Sequence, residues 1–365
     1  MTRYPFILVS LLVGCTTASP TGPDLIWGVS YDWEISTPQE QGVDSSILGN
    51  AFTETKKNPF MYSLLVVRNG YLIAEEYYRG RSRNTLDALY SATKSLTSAL
   101  IGIAIERGYI DSLDQKVLDY FPDFDHENLD PRKRDITIRH LLTMQAGFDH
   151  EANIREEVDQ ASNTMEAIFN SDLRFDPGTD FLYSTHGSHL LSGIISRATS
   201  MSTSEFARQN LFHHLGIRSI MWPVDRNGIA LGGAGLFMTP RDMARFGYLF
   251  LESGSLGPAE IISEGWVDLS VQNHRSYTEQ WNEMADVGYG FQWWTGRLGQ
   301  YPVHFASGYG GQWILIVPDL EMVVVTTMDG RTESNGMQME SIIPIVAEYI
   351  LPAAALSRSV LSPPL

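Results

Sequence analysis

The chain has 365 residues, 43% hydrophobic and 19% charged, proportions that suit a globular protein with one large core or two lobes. A formal net charge of -17 argues against a nucleic-acid partner, which would need a basic face, and against electrostatic adhesion to anionic lipid. With Cys15 as its one cysteine, the chain has no internal disulfide.

The first residues, MTRYPFILVSLLVGCTTAS, carry a basic residue at Arg3, an apolar run from Phe6 to Val13 and then small residues, the pattern of a secretory signal. Leu12-Val13-Gly14-Cys15 resembles a bacterial lipobox. The resemblance implies a signal peptide over 1–14 and lipidation of Cys15 as the first mature residue. It also implies a protein anchored in the cell envelope, facing the periplasm, with Thr16 after the cysteine leaning toward the outer membrane. No later apolar run approaches the roughly 20 residues of a membrane span, so the lipid is the expected membrane attachment. Residues 15–32, rich in Thr, Ser, Pro and Gly, read as a tether, and 33–352 as the folded domain. Thr37-Pro38-Gln39-Glu40 has the composition of a helix start leading toward Phe52. Two β-rich runs, from Ser63 to Arg68 and from Tyr71 to Tyr78, flank Asn69-Gly70, a strong hairpin signal.

Next comes YSATKSLTSALIGIAIERGY, from Tyr90 to Tyr109, where Leu96, Ala99, Leu100, Ile103 and Ala104 recur at helical spacing and Gly108 sits where a helix stops. Ser91 falls in its first turn, where unpaired backbone N–H groups and the helix dipole favour negative charge. Lys94, three residues on, shares its face. A lysine held against an apolar helix loses its proton more readily than in water and can serve as base toward a serine hydroxyl, so the pair is a candidate for S-x-x-K chemistry. Of the lysines, Lys56, Lys57, Lys94, Lys116 and Lys133, Lys94 alone has a serine three positions before it.

From Ser91 to about residue 265 the patterns are mainly helical: Thr137-IRHLLTM, Met165-EAIF, a run from Ser188, Ser204-EFARQNLF and Pro240-RDMARFGYLFL. After Gly288-Tyr289-Gly290 the β pattern resumes at Phe291-QWW, Tyr301-PVHFA, Gln312-WILIV and Met322-VVVTTM. An apolar helix from Ile342 to Ile350 follows, with Pro352 as its expected end and 353–365 as a flexible tail. A sheet split in sequence around a helical insertion implies an α+β protein: one lobe of antiparallel sheet flanked by helices, one mainly helical lobe, and a cleft between them.

Taken together, the hairpin followed by YSATKS, the Ile136-TIRHLLTMQAGF segment, Pro177-Gly178 with Tyr183-Ser184, Gly232-GAGLFMTPRDMARFG and Ala306-SGYGGQW resemble the serine β-lactamase and penicillin-binding superfamily. The likeness is to its class C-like branch, which includes esterases, D-amino-acid-specific peptidases and 6-aminohexanoate-dimer hydrolases. It implies a β-lactamase/DD-peptidase-like fold and a serine hydrolase acting on a small-molecule ester or amide, with no cofactor and no metal. Ser91 would be the nucleophile, and Lys94 and Tyr183 would exchange its proton; which of the two is the base stays open. The N–H groups of Ser91 and Tyr309 would form an oxyanion hole. Thr185, Ala306, Ser307 and Gly308 would face substrate. Thr185 stands where true β-lactamases keep an asparagine, and Ala306 where they keep the lysine of Lys-Thr-Gly, so esterase or amidase activity is favoured over β-lactamase. A cell-wall D,D-peptidase or weak β-lactamase and a non-catalytic periplasmic binding lipoprotein are the alternatives. His186, His189, His213 and His214 lack the pattern of a metal site and read as surface or capping residues. Tyr289, Trp293, Trp294 and Trp313 read as core.

Overall fold

The computed structural model describes residues 32–124, 129–149, 158, 160–276, 281, 283–330 and 341–355. Cys15 and the segments read as signal peptide and most of the tether lie outside the described residues. The fold is α+β, built on an eight-stranded antiparallel sheet. In chain order the sheet takes β1 (Met61–Arg68), β2 (Tyr71–Tyr77), β7 (Arg275–Ser276), β8 (Met284–Tyr289), β9 (Trp294–Leu298), β10 (Tyr301–Gly308), β11 (Gln312–Val317) and β12 (Met322–Met328), while β5 (Ser255–Leu256) and β6 (Ala259–Glu260) form a separate hairpin. Their spatial order is β2-β1-β12-β11-β10-β9-β8-β7. β12 pairs with β1, so the two ends of the chain close one sheet around the insertion. Asn69 and Gly70, at φ 49° and 81°, make the two-residue turn that the sequence announced.

The uniformly apolar strands follow from burial on both faces. On β1, Leu65 and Val67 face one core while Leu64 and Val66 face the other; β11 divides Ile314 and Ile316 from Trp313 and Leu315 in the same way. The second core is covered by α1 (Ser45–Lys57) and by the C-terminal helix. The first is covered by α2 (Thr93–Glu106) and α7 (Pro240–Leu251), and it extends into α3 (Ile138–Leu142), α4 (Thr164–Asn170), α5 (Thr185–Thr199) and α6 (Thr203–Ala207). α7 belongs on the sheet, against β1, β11 and β12, rather than inside the helical lobe to which its place in the sequence assigned it. A Cβ at its Gly247 would stand 2.7 Å from Ile314 and Val323, so glycine sets how closely it packs.

Four boundaries depart from the sequence reading. Thr37 caps no helix: its N–H and hydroxyl bind the Glu40 carboxylate in a local turn, and α1 begins at Ser45, where Asp44 accepts the N–H groups of Ser46 and Ile47. Phe291–Trp293 are not strand, because Gln292 turns to φ 61° and spends its N–H on Leu142; β9 starts at Trp294. Pro352 does not stop the last helix. A wide π turn over Val346–Ile350 precedes it and accommodates the missing N–H, and helix continues through 351–355. The tail therefore cannot start at 353, since Ala353 and Ala354 are buried.

Candidate active site

Two short strands, β3 (Asp87–Ala88) and β4 (Phe237–Met238), pair antiparallel and tie the chain before Ser91 to the chain after Gly235. Leu89 N–H donates to Leu236 O at 2.8 Å, and Leu236 N–H to Thr93 Oγ1 at 3.2 Å. Ser91 lies in a 3-10 turn, Tyr90–Ala92, one step ahead of α2 rather than inside it. Tyr90 takes φ 47°, a left-handed conformation that a bulky side chain adopts only when its surroundings hold it there; such strain gathers at functional sites.

Lys94 is 1% exposed, and its Nζ lies 3.0 Å from Ser91 Oγ, 3.0 Å from Thr185 Oγ1 and 2.6 Å from Gly233 O. The carbonyl can only accept, so one N–H points at Gly233. The two hydroxyls donate or accept, which lets Lys94 hold a proton as ammonium or, when neutral, receive the proton of Ser91. Thr185, expected to face substrate, thus also joins the amine. Tyr183 presents its ring to the same amine, with Nζ 4.8 Å from the centroid, within cation–π range. That ring stacks on Trp294 (5.8 Å, 17°) and meets Tyr289 edge-on (6.1 Å), inside an aromatic block whose Tyr289, Trp294 and Trp313 are buried core, as is Trp293. Burial and the charge of nearby Tyr183 push the Tyr289 phenol well up.

The end of β10 abuts this turn. A Cβ at Gly308 would come within 2.0 Å of Leu89 O, so only glycine lets the strand pass the backbone beside Ser91. Tyr309, next in the chain, packs its ring 5.6 Å from that of Tyr90. Ala306 is buried on the face toward α2, and Ser307 Oγ is buried with no partner among the described residues. Ser91, Lys94, Thr185 and Tyr183 are therefore assembled at one point, with the Ala306–Tyr309 segment alongside.

Sequence reasoning missed two supports. Gln292 is buried in the left-handed region. Its Nε2 donates to Leu141 O (2.8 Å) and Leu142 O (3.1 Å), its Oε1 accepts from Ser188 (2.7 Å), and its carbonyl accepts from Ser95 (2.7 Å). It joins the helix of Lys94 to the helix that begins beside Tyr183. The signal was a polar residue within the apolar run Phe291-Gln-Trp-Trp. The other support is His189, read as a surface or capping residue but buried at 5% exposure against Asp225, Nε2 to Oδ2 3.0 Å.

A beta-lactamase family model matches residues 59–341. The chain belongs to the beta-lactamase family. Among curated relatives of this family member is a 6-aminohexanoate-dimer hydrolase of Paenarthrobacter ureafaciens, 28% identical over 258 residues, a match spanning 64% of this chain and 63% of the relative's length. Among solved structures, an octameric penicillin-binding protein homologue from Pyrococcus abyssi aligns with TM-score 0.66 at 19% identity, over 84% of this chain and 76% of the other. EstCE1, a hydrolase with promiscuous acyltransferase activity, aligns with TM-score 0.65 at 17% identity, over 85% and 98%. At those identities the structural matches speak to the beta-lactamase fold.

Proposed function

We propose that the protein is a serine hydrolase of esters or amides. Ser91 Oγ attacks the carbonyl carbon, its proton passes to Lys94 or through Tyr183, and the leaving alcohol or amine takes a proton back from the same groups. Water then cleaves the Ser91 ester and restores the hydroxyl. The N–H groups of Ser91 and Tyr309 stabilise the oxyanion in this reading. The observation that carries it is the buried Lys94 amine 3.0 Å from Ser91 Oγ. The name of the 28% identical relative, a 6-aminohexanoate-dimer hydrolase, supports including amides.

The second reading, a D,D-peptidase or weak β-lactamase, is favoured by the matched family model and disfavoured by Ala306 in the place of a lysine. A protein that kept the fold only to bind would turn nothing over. One experiment separates the three. The wild type is expected to hydrolyse a p-nitrophenyl acyl ester much faster than a chromogenic cephalosporin, and a fluorophosphonate is expected to label Ser91, as located by mass spectrometry, and not a Ser91→Ala variant. Faster cephalosporin turnover would favour the second reading, and no labelling with no turnover the third.

A further inference from the structure

The shortest contact of Lys94 is to a carbonyl, that of Gly233, in a glycine loop with no side chains to anchor it. Glycine is required there by space: a Cβ at Gly232 would lie 2.7 Å from Ser192 Cβ and one at Gly233 2.4 Å from Thr185 O. The loop is held instead through its peptides. Gly232 O accepts from Thr97 Oγ1 at 2.8 Å, and Gly232 N–H donates to His189 Nδ1 at 3.3 Å. With the two preceding peptides pinned, the Gly233 carbonyl has little freedom to turn away from Lys94.

His189 lies one turn beyond Thr185 on α5. A backbone N–H only donates, so Nδ1 must be the acceptor and the ring proton must sit on Nε2, which then donates to Asp225 Oδ2 at 3.0 Å. Asp225 Oδ1 accepts the N–H groups of Asn227 (2.8 Å) and Ile229 (2.9 Å), so both oxygens of its carboxylate are engaged as acceptors. Burial raises the Asp225 carboxyl, but the bond from His189 and the backbone N–H groups outweigh it and hold the group below its ordinary value. Neither side chain is more than 6% exposed.

We propose that Asp225 and His189 are a positioning pair for the proton-transfer lysine. The carboxylate selects the Nε2–H tautomer, the free Nδ1 anchors Gly232, and the Gly233 carbonyl is thereby aimed at Lys94, fixing the amine against Ser91 Oγ. The proposal rests on the reading of Lys94 as the group that takes the Ser91 proton.

Two variants isolate the effect. His189→Lys keeps an N–H donor for Asp225, so no buried carboxylate is left unpaired, but has no acceptor for Gly232. Asp225→Asn keeps the acceptor for Asn227 and Ile229 while its amide donates toward His189. It thereby forces the opposite tautomer and sets an Nδ1–H against the Gly232 N–H. With p-nitrophenyl butyrate, kcat is expected to fall about 10-fold in His189→Lys and about 100-fold in Asp225→Asn, with KM within about twofold of wild type. Thermal melts identify which variants are folded. Independently of catalysis, ¹⁵N NMR of the histidine-labelled wild type should find His189 neutral and protonated at Nε2 at pH 7. A folded His189→Lys with wild-type kcat, or an Nδ1–H or doubly protonated ring in wild type, overturns the proposal. If neither variant folds, the tautomer decides. Full activity in Lys94→Ala would instead remove the reading of Lys94, and the catalytic meaning of the pair with it, whatever the tautomer.

Discussion

Two walls meet at Ser91, and they are built on opposite rules. On the helical wall the polar groups are engaged: Lys94 reaches Ser91, Thr185 and Gly233, the loop that bears Gly233 is anchored to His189 and Thr97, and Gln292 braces the helices behind. On the strand wall Ala306 and Gly308 are small, and Ser307 Oγ and His304 Nδ1 are buried without partners among the described residues. A buried polar atom left unsatisfied costs stability, so these two atoms weaken the strand wall where the hydrogen bonds of the helical wall strengthen theirs. In the proposed reaction, the groups that move the proton are held in place by hydrogen bonds, while the strand offers a substrate small residues and backbone.

The comparison breaks most sharply on the helical side. Lys94→Ala and Tyr183→Phe are each expected to lower the acylation rate by about 10² to 10⁴, the range for loss of a general acid–base group. Lys94→Ala also leaves the Gly233 carbonyl without its closest donor. Pre-steady-state release of p-nitrophenol measures acylation directly, and circular dichroism checks that the fold stands. Near-normal rates in both variants would remove the assignment of these two residues.

The strand side should respond to shape before charge. Gly308→Ala places a methyl 2.0 Å from the Leu89 carbonyl oxygen, and since that atom is backbone, the strand end and the Ser91 turn must separate. The expected loss in kcat/KM is about 10² for displacement of about 1 Å at the reacting group. Gly265→Ala is the matched control: it lies in a helix with nothing within 4 Å of an added Cβ, and is expected to leave activity unchanged and stability equal or higher by about 0.5–1 kcal/mol. Equal activity in the two variants would mean that the strand does not set the site's geometry.

The helical wall and the sheet were legible in the sequence to different depths. Long apolar runs and the Asn69-Gly70 turn mark strands that are buried on both faces. Ser91, Lys94 and Tyr183 come from segments about 90 residues apart and converge because α2 and α5 pack together. What stayed hidden is what depends on tertiary partners. Tyr90 adopts φ 47° though nothing about tyrosine announces it, and Gln292 does the same at φ 61° because Leu142, Ser95 and Ser188 compete successfully for its polar groups. The role of Gly233 belongs to a backbone oxygen, which no side-chain motif encodes. His189 looked like a surface residue because Asp225, 36 positions away, is brought to it only by the fold.

The smallest expected effect sharpens the comparison by asking whether the strand wall can acquire charge. His304 precedes Ala306 by two positions on β10, so the two share a face, and a protonated His304 would stand near the place where related proteins keep a lysine. Burial pushes its imidazole down to about 4. Its unfolded value is near 6.5, so the neutral ring is the folded form: its contribution to stability is complete above about 6.5 and is lost as pH falls toward 4. Two outcomes follow. Wild type should lose melting temperature faster than His304→Gln between pH 7 and 5, with the gap widening by roughly 3 °C at pH 5. In the same interval the strand wall stays neutral, so for a substrate pair differing only as carboxylate and methyl ester the neutral member is preferred, and lowering the pH to 5.5 does not reverse this once substrate protonation is allowed for. Of the two arginines that could bring a cation to the strand, Arg297 has its guanidinium bound to Asp286 at 2.9 Å and to Gly299 O, and Arg331 lies outside the described residues. A strong preference for the carboxylate that collapses with salt would place a cation at the site and refute the neutral wall. A melting gap that stays constant with pH would refute the buried neutral histidine.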